Sequence, residues 1–249
     1  MKLLYFDCFS GIAGDMVLGA LIDVGVDAKF LLKELKKLPV SGYRIEIKKV
    51  TENHIKATDV NILVTKEHDH RHLQDIINLI KSSRLSTKVK KDSIRIFYHL
   101  AQAEATVHGI PISKVHFHEV GAVDSILDIV GSVIGIHALA VDRIYCSPLP
   151  LGHGFVTCAH GVLPLPAPAT VELLKDIPVY SVERNQELVT PTGAAIITMF
   201  ASHFGEMPLM KVRAIGYGSG KIHSEYPSLL RVFLGEPQQR KKRKNIVSK

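Results

Sequence analysis

Residues 3–6 form an uninterrupted apolar run, the pattern of a short strand buried on both faces. Residues 7–11 read as a turn, and from 14 to 24 Met16, Leu18, Leu21 and Ile22 recur at helical spacing. A second helix over 28–38 stops at Pro39, and 43–50 and 56–64 read as strands around a short turn. Helical periodicity returns at Ile76, Ile77, Leu79 and Ile80, and a longer helix is predicted over 87–108. Beyond Pro111, residues 116–118 read as a strand leading into a largely buried helix marked by Val123, Ile126, Leu127, Ile129, Val130, Val133 and Ile134. Its other stripe places Asp124 and Asp128 on one face with Gly131 and Gly135, where a neighbouring backbone can approach closely. Residues 148–168, rich in Pro and Gly, predict loop or edge strand. Thr190-Pro191 predicts an N-cap with proline at the first helical position, opening a helix through about residue 203. The sum is an α/β fold, a mixed sheet with packed helices. One domain is expected over 1–235, with room for two subdomains, and a disordered basic tail over 236–249.

Composition changes this picture little. A chain of 249 residues that is 46% hydrophobic can bury a sizeable core. The early Asp7 interrupts any signal-peptide core, and no apolar stretch approaches the roughly 20 residues of a membrane helix. With three cysteines, Cys8, Cys146 and Cys158, lacking zinc-type spacing, the expectation is a cytoplasmic protein without a membrane partner. The formal charge of +7 raises nucleic-acid binding, but the tail over 236–249 carries six Lys or Arg against one acid. That leaves about +2 on the body, without a basic stripe interleaved with aromatics, so no nucleic-acid partner is expected.

Candidate chemistry gathers in four places. His68, His70 and His72 alternate, so an extended backbone sets three imidazoles on one face; a solvent-exposed histidine-rich loop is the plain alternative. His116 and His118 share a strand face, with Glu119, Asp124 and Asp128 around the start of the next helix, a set that suits a divalent metal or general acid/base work. Helix-dipole stabilisation explains Glu119 and Asp124 as well, though acids on a buried helix need partners. Cys158 and His160 offer a thiolate and an imidazole, against the commoner role of a lone Cys as a small core residue. Asp7 at a strand end precedes Ser10, Gly11, Gly14 and Asp15, a glycine loop opening a helix that can cradle a phosphate; its spacing matches neither the P-loop nor the dinucleotide fingerprint. Thr190 and Thr192 are a similar candidate for anion contact, with helix capping the simpler role. A serine hydrolase is disfavoured because no Gly-x-Ser-x-Gly elbow is present.

Five stretches in order, FDCFSGIAGDM at 6–16, EHDHRHLQDI at 67–76, VHFHEVGAVDSILDIVG at 115–131, GHGFVTCAHGVLPLPAPAT at 152–170 and ELVTPTGAAI at 187–196, together resemble the nickel insertion proteins that mature the nickel-pincer cofactor of lactate racemase. The resemblance implies a nickel chelatase of the lyase class. It would transfer Ni(II) into a pyridinium bisthiocarboxylate mononucleotide precursor, using CTP hydrolysis with Mn(II) or Mg(II). It further implies a C-terminal CTP-associated portion as partner and lactate racemase or a similar nickel-pincer enzyme downstream; a homo-oligomer is compatible with it. Family members commonly continue into that further domain, whereas this sequence ends in Lys and Arg, and adenine-rich codons for 241–244 would suit programmed frameshifting. A nucleotide sequence lacking a slippery run and an out-of-frame continuation would remove that expectation.

The mechanism expected from these residues has His68, His70 and His72 gather Ni(II), with His116, His118 and the catalytic acids Glu119 and Asp124, or Cys158 and His160, presenting it to the precursor. Ligation needs neutral imidazole, so binding should weaken as pH falls through the imidazole range. Two other readings stand beside it: a metal-dependent hydrolase using the same ligands to activate water, and a non-catalytic nickel store or metallochaperone subunit.

Overall fold

The apolar run near the N-terminus becomes a central strand in a computed structural model of the chain, which describes residues 1–65, 71–117, 121–158, 161–222 and 224–238. That strand, β1 (Leu3–Asp7), turns Leu4 and Phe6 into the main core. Helices α1 (Gly14–Asp23) and α2 (Ala28–Leu35) follow, then a hairpin of β2 (Tyr43–Glu52) and β3 (Ile55–Val64). Its two-residue turn, Asn53-His54, has φ of 45° and 64°, the left-handed pair that matches the twist of the flanking strands. Next come β4 (Arg71–His72), α3 (Leu73–Ser82), α4 (Thr87–His108), a 3-10 turn (Ile112–Lys114), β5 (His116–Phe117) and α5 (Val123–Leu139). The rest of the described chain runs β6 (Arg143–Cys146), β7 (Leu149–Leu151), β8 (Phe155–Cys158), β9 (Gly161–Pro164), α6 (Pro168–Leu173), β10 (Val179–Ser181), α7 (Pro191–Phe200), β11 (His203–Phe204), β12 (Met210–Ser219) and β13 (Leu229–Pro237).

Seven strands build one mixed sheet in the order β11-β6-β1-β13-β12-β3-β2. β1 lies parallel to β6 and antiparallel to β13, so the N-terminal strand is closed on both sides by segments far along the chain. Helix α1 lies across β12, β3 and β13, and α5 packs on α1 with α4 behind it. Between these layers Phe6, Val17, Leu18, Leu21, Ile126, Ile129, Val130 and Val232 belong to one buried cluster. Each such side chain contributes about 1.5–3 kcal/mol on burial. The opposite face carries a smaller cluster of Leu3, Tyr5 and Met210, with Tyr145 and Phe233 against it. Among the described residues no helix is long and apolar enough to cross a membrane.

The helix ends have local causes. Ser86 Oγ accepts from the amide of Val89 to start α4, and Gly109, at φ 63°, ends it. α2 stops at Leu35 rather than running on to Pro39, and α7 stops at Phe200, since His203 is taken into the sheet edge beside β6. The strands at 143–146, 210–219 and 229–237, and the helix at 168–173, were not expected from the pattern of apolar positions.

Candidate active site

The glycine loop after β1 is pinned by the segment that leads into α7. The Ile12 amide donates to the Leu188 carbonyl at 2.8 Å and the Thr190 amide to the Ile12 carbonyl at 3.1 Å. Gly11, at φ 96°, permits this approach: a Cβ there would lie 1.9 Å from the Leu188 carbonyl oxygen. Ser10 is buried; its hydroxyl donates to the Pro227 carbonyl at 2.7 Å and accepts from Arg184 Nη1 at 3.0 Å. Arg184 also lies over the Tyr226 ring, 4.1 Å from its centroid. Together the loop, the 184–190 segment and the turn joining β12 to β13 enclose a cavity of about 270 Å³, whose walls include Ser10, Asp15, Arg184, Gln186, Thr190 and Lys221.

One wall of this cavity is acidic and electrostatically strained. Asp15, in the first turn of α1, is mostly but not fully buried, its side chain 16% exposed, and desolvation pushes its pKa up to about 6 despite the pull of Lys221. Lys221 Nζ stands 4.0 Å from Asp15, but it is engaged by Asp59 and by the Val60 carbonyl at 3.1 Å. Behind Asp15 lies Asp128 of α5, whose carboxylate presses on Gly14: a Cβ at residue 14 would meet Oδ2 at 2.7 Å. Asp128 Oδ1 is shielded from solvent and lacks a hydrogen-bond partner. Burial first, then the charges of Asp15 and Asp124, holds the Asp128 carboxyl well above the usual carboxylate range. The pair therefore resists carrying two negative charges.

A second feature lies at the other end of the same helix turn. β4 and β5 pair antiparallel with His72 opposite His116, and the two imidazole centroids are 3.9 Å apart. Arg71 Nη1 donates to the Gly121 carbonyl at 2.9 Å, and Gly121 packs on Phe117, which ties this strand pair to the start of α5. Asp124 is exposed in the first turn of α5, and Asp128 follows about 6 Å further along the axis. The first two turns of α5 thus run from the imidazole pair to the cavity wall.

The structure places the remaining candidates more plainly. Asp7 is not among the residues lining the cavity; it accepts from Arg231 Nε at 2.9 Å, with the guanidinium flanked by Phe9 and Phe233. Thr190 Oγ1 accepts from the Gly193 amide at 3.1 Å as the N-cap of α7, and the Thr192 hydroxyl bonds it at 2.9 Å. Cys158 is half-buried at the end of β8, in a hairpin whose base is joined to the cavity wall where the His153 amide donates to the Arg184 carbonyl. His68, His70, His118, Glu119 and His160 lie outside the described residues. Among the described residues no three His, Cys, Asp or Glu side chains are gathered as a metal shell. Sequence reasoning missed Arg184, Tyr226 and Lys221. Only Lys221 carried a signal, the glycine-rich run that precedes it at 216–220.

Comparison with known proteins agrees with this arrangement of motifs. The family model described as nickel insertion protein matches residues 4–248. A relative from Dictyoglomus thermophilum named for nickel insertion is 54% identical over 248 residues, covering 99% of this chain and 64% of its own length. Proteins of Geobacillus kaustophilus and Desulfitobacterium hafniense, both named pyridinium-3,5-bisthiocarboxylic acid mononucleotide nickel insertion protein, are 49% and 48% identical, each over 95% of this chain and 60% and 59% of their own. The chain thus spans about three fifths of the length of these curated relatives. No solved structure matches it. A match from the first strand onward, together with relatives at about half identity, shows that the chain belongs to the nickel insertion protein family.

Proposed function

We propose that this chain takes part in inserting Ni(II), as substrate, into a pyridinium-3,5-bisthiocarboxylic acid mononucleotide, the compound named for its relatives. The observation that carries the proposal is the pairing of β4 with β5, which sets His72 of one histidine-rich segment against His116 of the other. Neutral imidazole suits Ni(II), and two rings leave coordination positions for His68, His70 or His118 and for the incoming sulfurs. Cys158, on the hairpin joined to the cavity wall, and His160, two residues on in sequence, supply a thiolate and an imidazole for the hand-over. Glu119 and Asp124, near the start of α5, serve as the polar groups between metal edge and cavity.

The cavity receives the organic precursor. Its lining is complementary to a zwitterion: Arg184 and the Thr190 hydroxyl suit the phosphate, and the Asp15 wall suits the cationic ring. In this reading CTP with Mn(II) or Mg(II) drives the transfer through the further portion of the family's length, the product serves lactate racemase or a similar enzyme, and the reaction takes place in the cytoplasm.

Calorimetry with metal analysis tests the metal edge. His72→Ala/His116→Ala is expected to weaken Ni(II) binding at least tenfold in a protein that still melts cooperatively, with loss of the His72 cap on α3 costing about 1 kcal/mol. Unchanged nickel affinity in that variant would remove the imidazole edge from the mechanism.

A further inference from the structure

A nickel ion held by sulfurs on ring positions 3 and 5 of a pyridinium faces ring position 4, the carbon between them. Thiocarboxylates are already ionised near neutrality, so the one proton that insertion must still displace on that edge is the hydrogen of this carbon. We propose that Asp15 is the proton acceptor for insertion, taking that hydrogen as nickel takes its place. The proposal rests on the reading that the cavity holds the pyridinium precursor. The C–H bond breaks, its electron pair becomes the carbon–nickel bond, the proton passes to an Asp15 carboxylate oxygen, and nickel remains Ni(II).

Three features of the site single out Asp15. It lines the cavity and is nearly buried, so its carboxylate faces a bound ligand rather than bulk water. Its nearest cation, Lys221, stands off at 4.0 Å and is held by Asp59 and the Val60 carbonyl, so Asp15 is not locked in a tight ion pair. Asp128, pressed on Gly14 from behind with an unpartnered carboxylate oxygen, offers Asp15 no compensating cation, and the charge of Asp59 favours protonation of Asp15. Burial raises its pKa to about 6, which leaves it ionised as a base near neutrality yet far stronger than an exposed carboxylate. The Met16 amide donates to Asp15 Oδ1 at 2.7 Å, as for an acid that serves only the helix start, yet desolvation outweighs that bond and the net shift is upward.

The test follows the position-4 hydrogen by proton NMR in D2O. Wild type, Asp15→Asn and Asp15→Glu, each supplemented with the further portion of the family's length and with CTP and Mg(II), are given Ni(II) and saturating bisthiocarboxylate precursor, with binding of both ligands checked by calorimetry on the same samples. Wild type is expected to lose the position-4 signal at a rate that rises with pH through about 6 and then levels. Asp15→Asn should be at least tenfold slower without that limb, and Asp15→Glu should restore part of both. Equal loss in wild type and Asp15→Asn overturns the proposal, as does a wild type that binds both ligands and keeps its position-4 hydrogen; in either case the insertion reading survives. A wild type that binds neither ligand overturns the insertion reading and this proposal with it.

Discussion

Replacing Asp15 by Asn should stabilise the fold at neutral pH, because the site that holds this acid disfavours its charge. The folded-state pKa of about 6 stands above the ordinary value of 3.8. The folded chain therefore binds more protons than the unfolded chain between these values, and stability falls as pH rises from about 4 to about 6. At pH 7 the accumulated cost is about 3 kcal/mol, since each pH unit separating the two values is worth about 1.4 kcal/mol, with the attraction of Lys221 already included. An isosteric amide keeps the wall's shape and removes this cost, and it also relieves the repulsion felt by Asp128. Urea unfolding of wild type and Asp15→Asn, measured from pH 4 to 7.5, should give curves that coincide near pH 4 and separate by about 2–3 kcal/mol at pH 7, the variant being more stable. A variant that is less stable at pH 7, or a gap that does not grow through pH 4–6, would refute the idea that burial strains Asp15. Such a gain from removing an acid is what a functional site held at the expense of stability predicts.

Two further substitutions test how the cavity is assembled. Gly11→Ala should leave little folded protein or lower the melting temperature by many degrees, since the new Cβ meets a carbonyl oxygen at 1.9 Å and the φ of 96° is itself unfavourable; circular dichroism melts read this directly. Thr190→Ala removes the side-chain acceptor for the Gly193 amide and should cost about 1 kcal/mol in urea unfolding. It should also weaken precursor binding by calorimetry, because Thr190 lines the cavity as well as capping α7; a stability loss without any change in affinity would make it a cap alone.

Much of the fold was legible along the chain because its helices carry local signals. Residues 87–108 are bounded by a serine cap and a left-handed glycine, and the predicted helix coincides with α4. The β2–β3 hairpin and the buried helix from Val123 were readable for the same reason, an apolar period uninterrupted by competing turns. The missed strands were missed on physical grounds. β12, with the sequence MKVRAIGYGS, interleaves apolar residues with Lys, Arg and Gly, and it becomes a strand by pairing with β13 and by lying under α1, neither of which is written in its own pattern. β6 has four residues and is held only because β1 and β11 flank it.

The site followed the same division. Ser10, Gly11, Asp15 and Thr190 were visible because loop glycines and a Thr-Pro cap advertise themselves, and the structure brings Ser10, Asp15 and Thr190 to one cavity. Arg184 and Tyr226 carry no motif; they matter because one stacks on the other over Ser10, a relation between positions far apart in sequence.

The link between metal edge and cavity lies in α5. Its aspartates read, on sequence alone, as two acids of one stripe, yet they meet different environments: Asp124 is exposed in the first turn, whereas Asp128 is pressed on Gly14 through Oδ2 and its Oδ1 is shielded without a partner. A helix accepts an unpaired buried carboxyl only where the rest of the packing outweighs it, here the largely apolar remainder of α5 lodged between α1 and α4. Relaxing that strain would need a cation or a proton to arrive beside Asp15. Proton-releasing chemistry in the cavity would supply the second, so the charge state of the α1–α5 contact and the progress of insertion would be coupled through the same pair of acids.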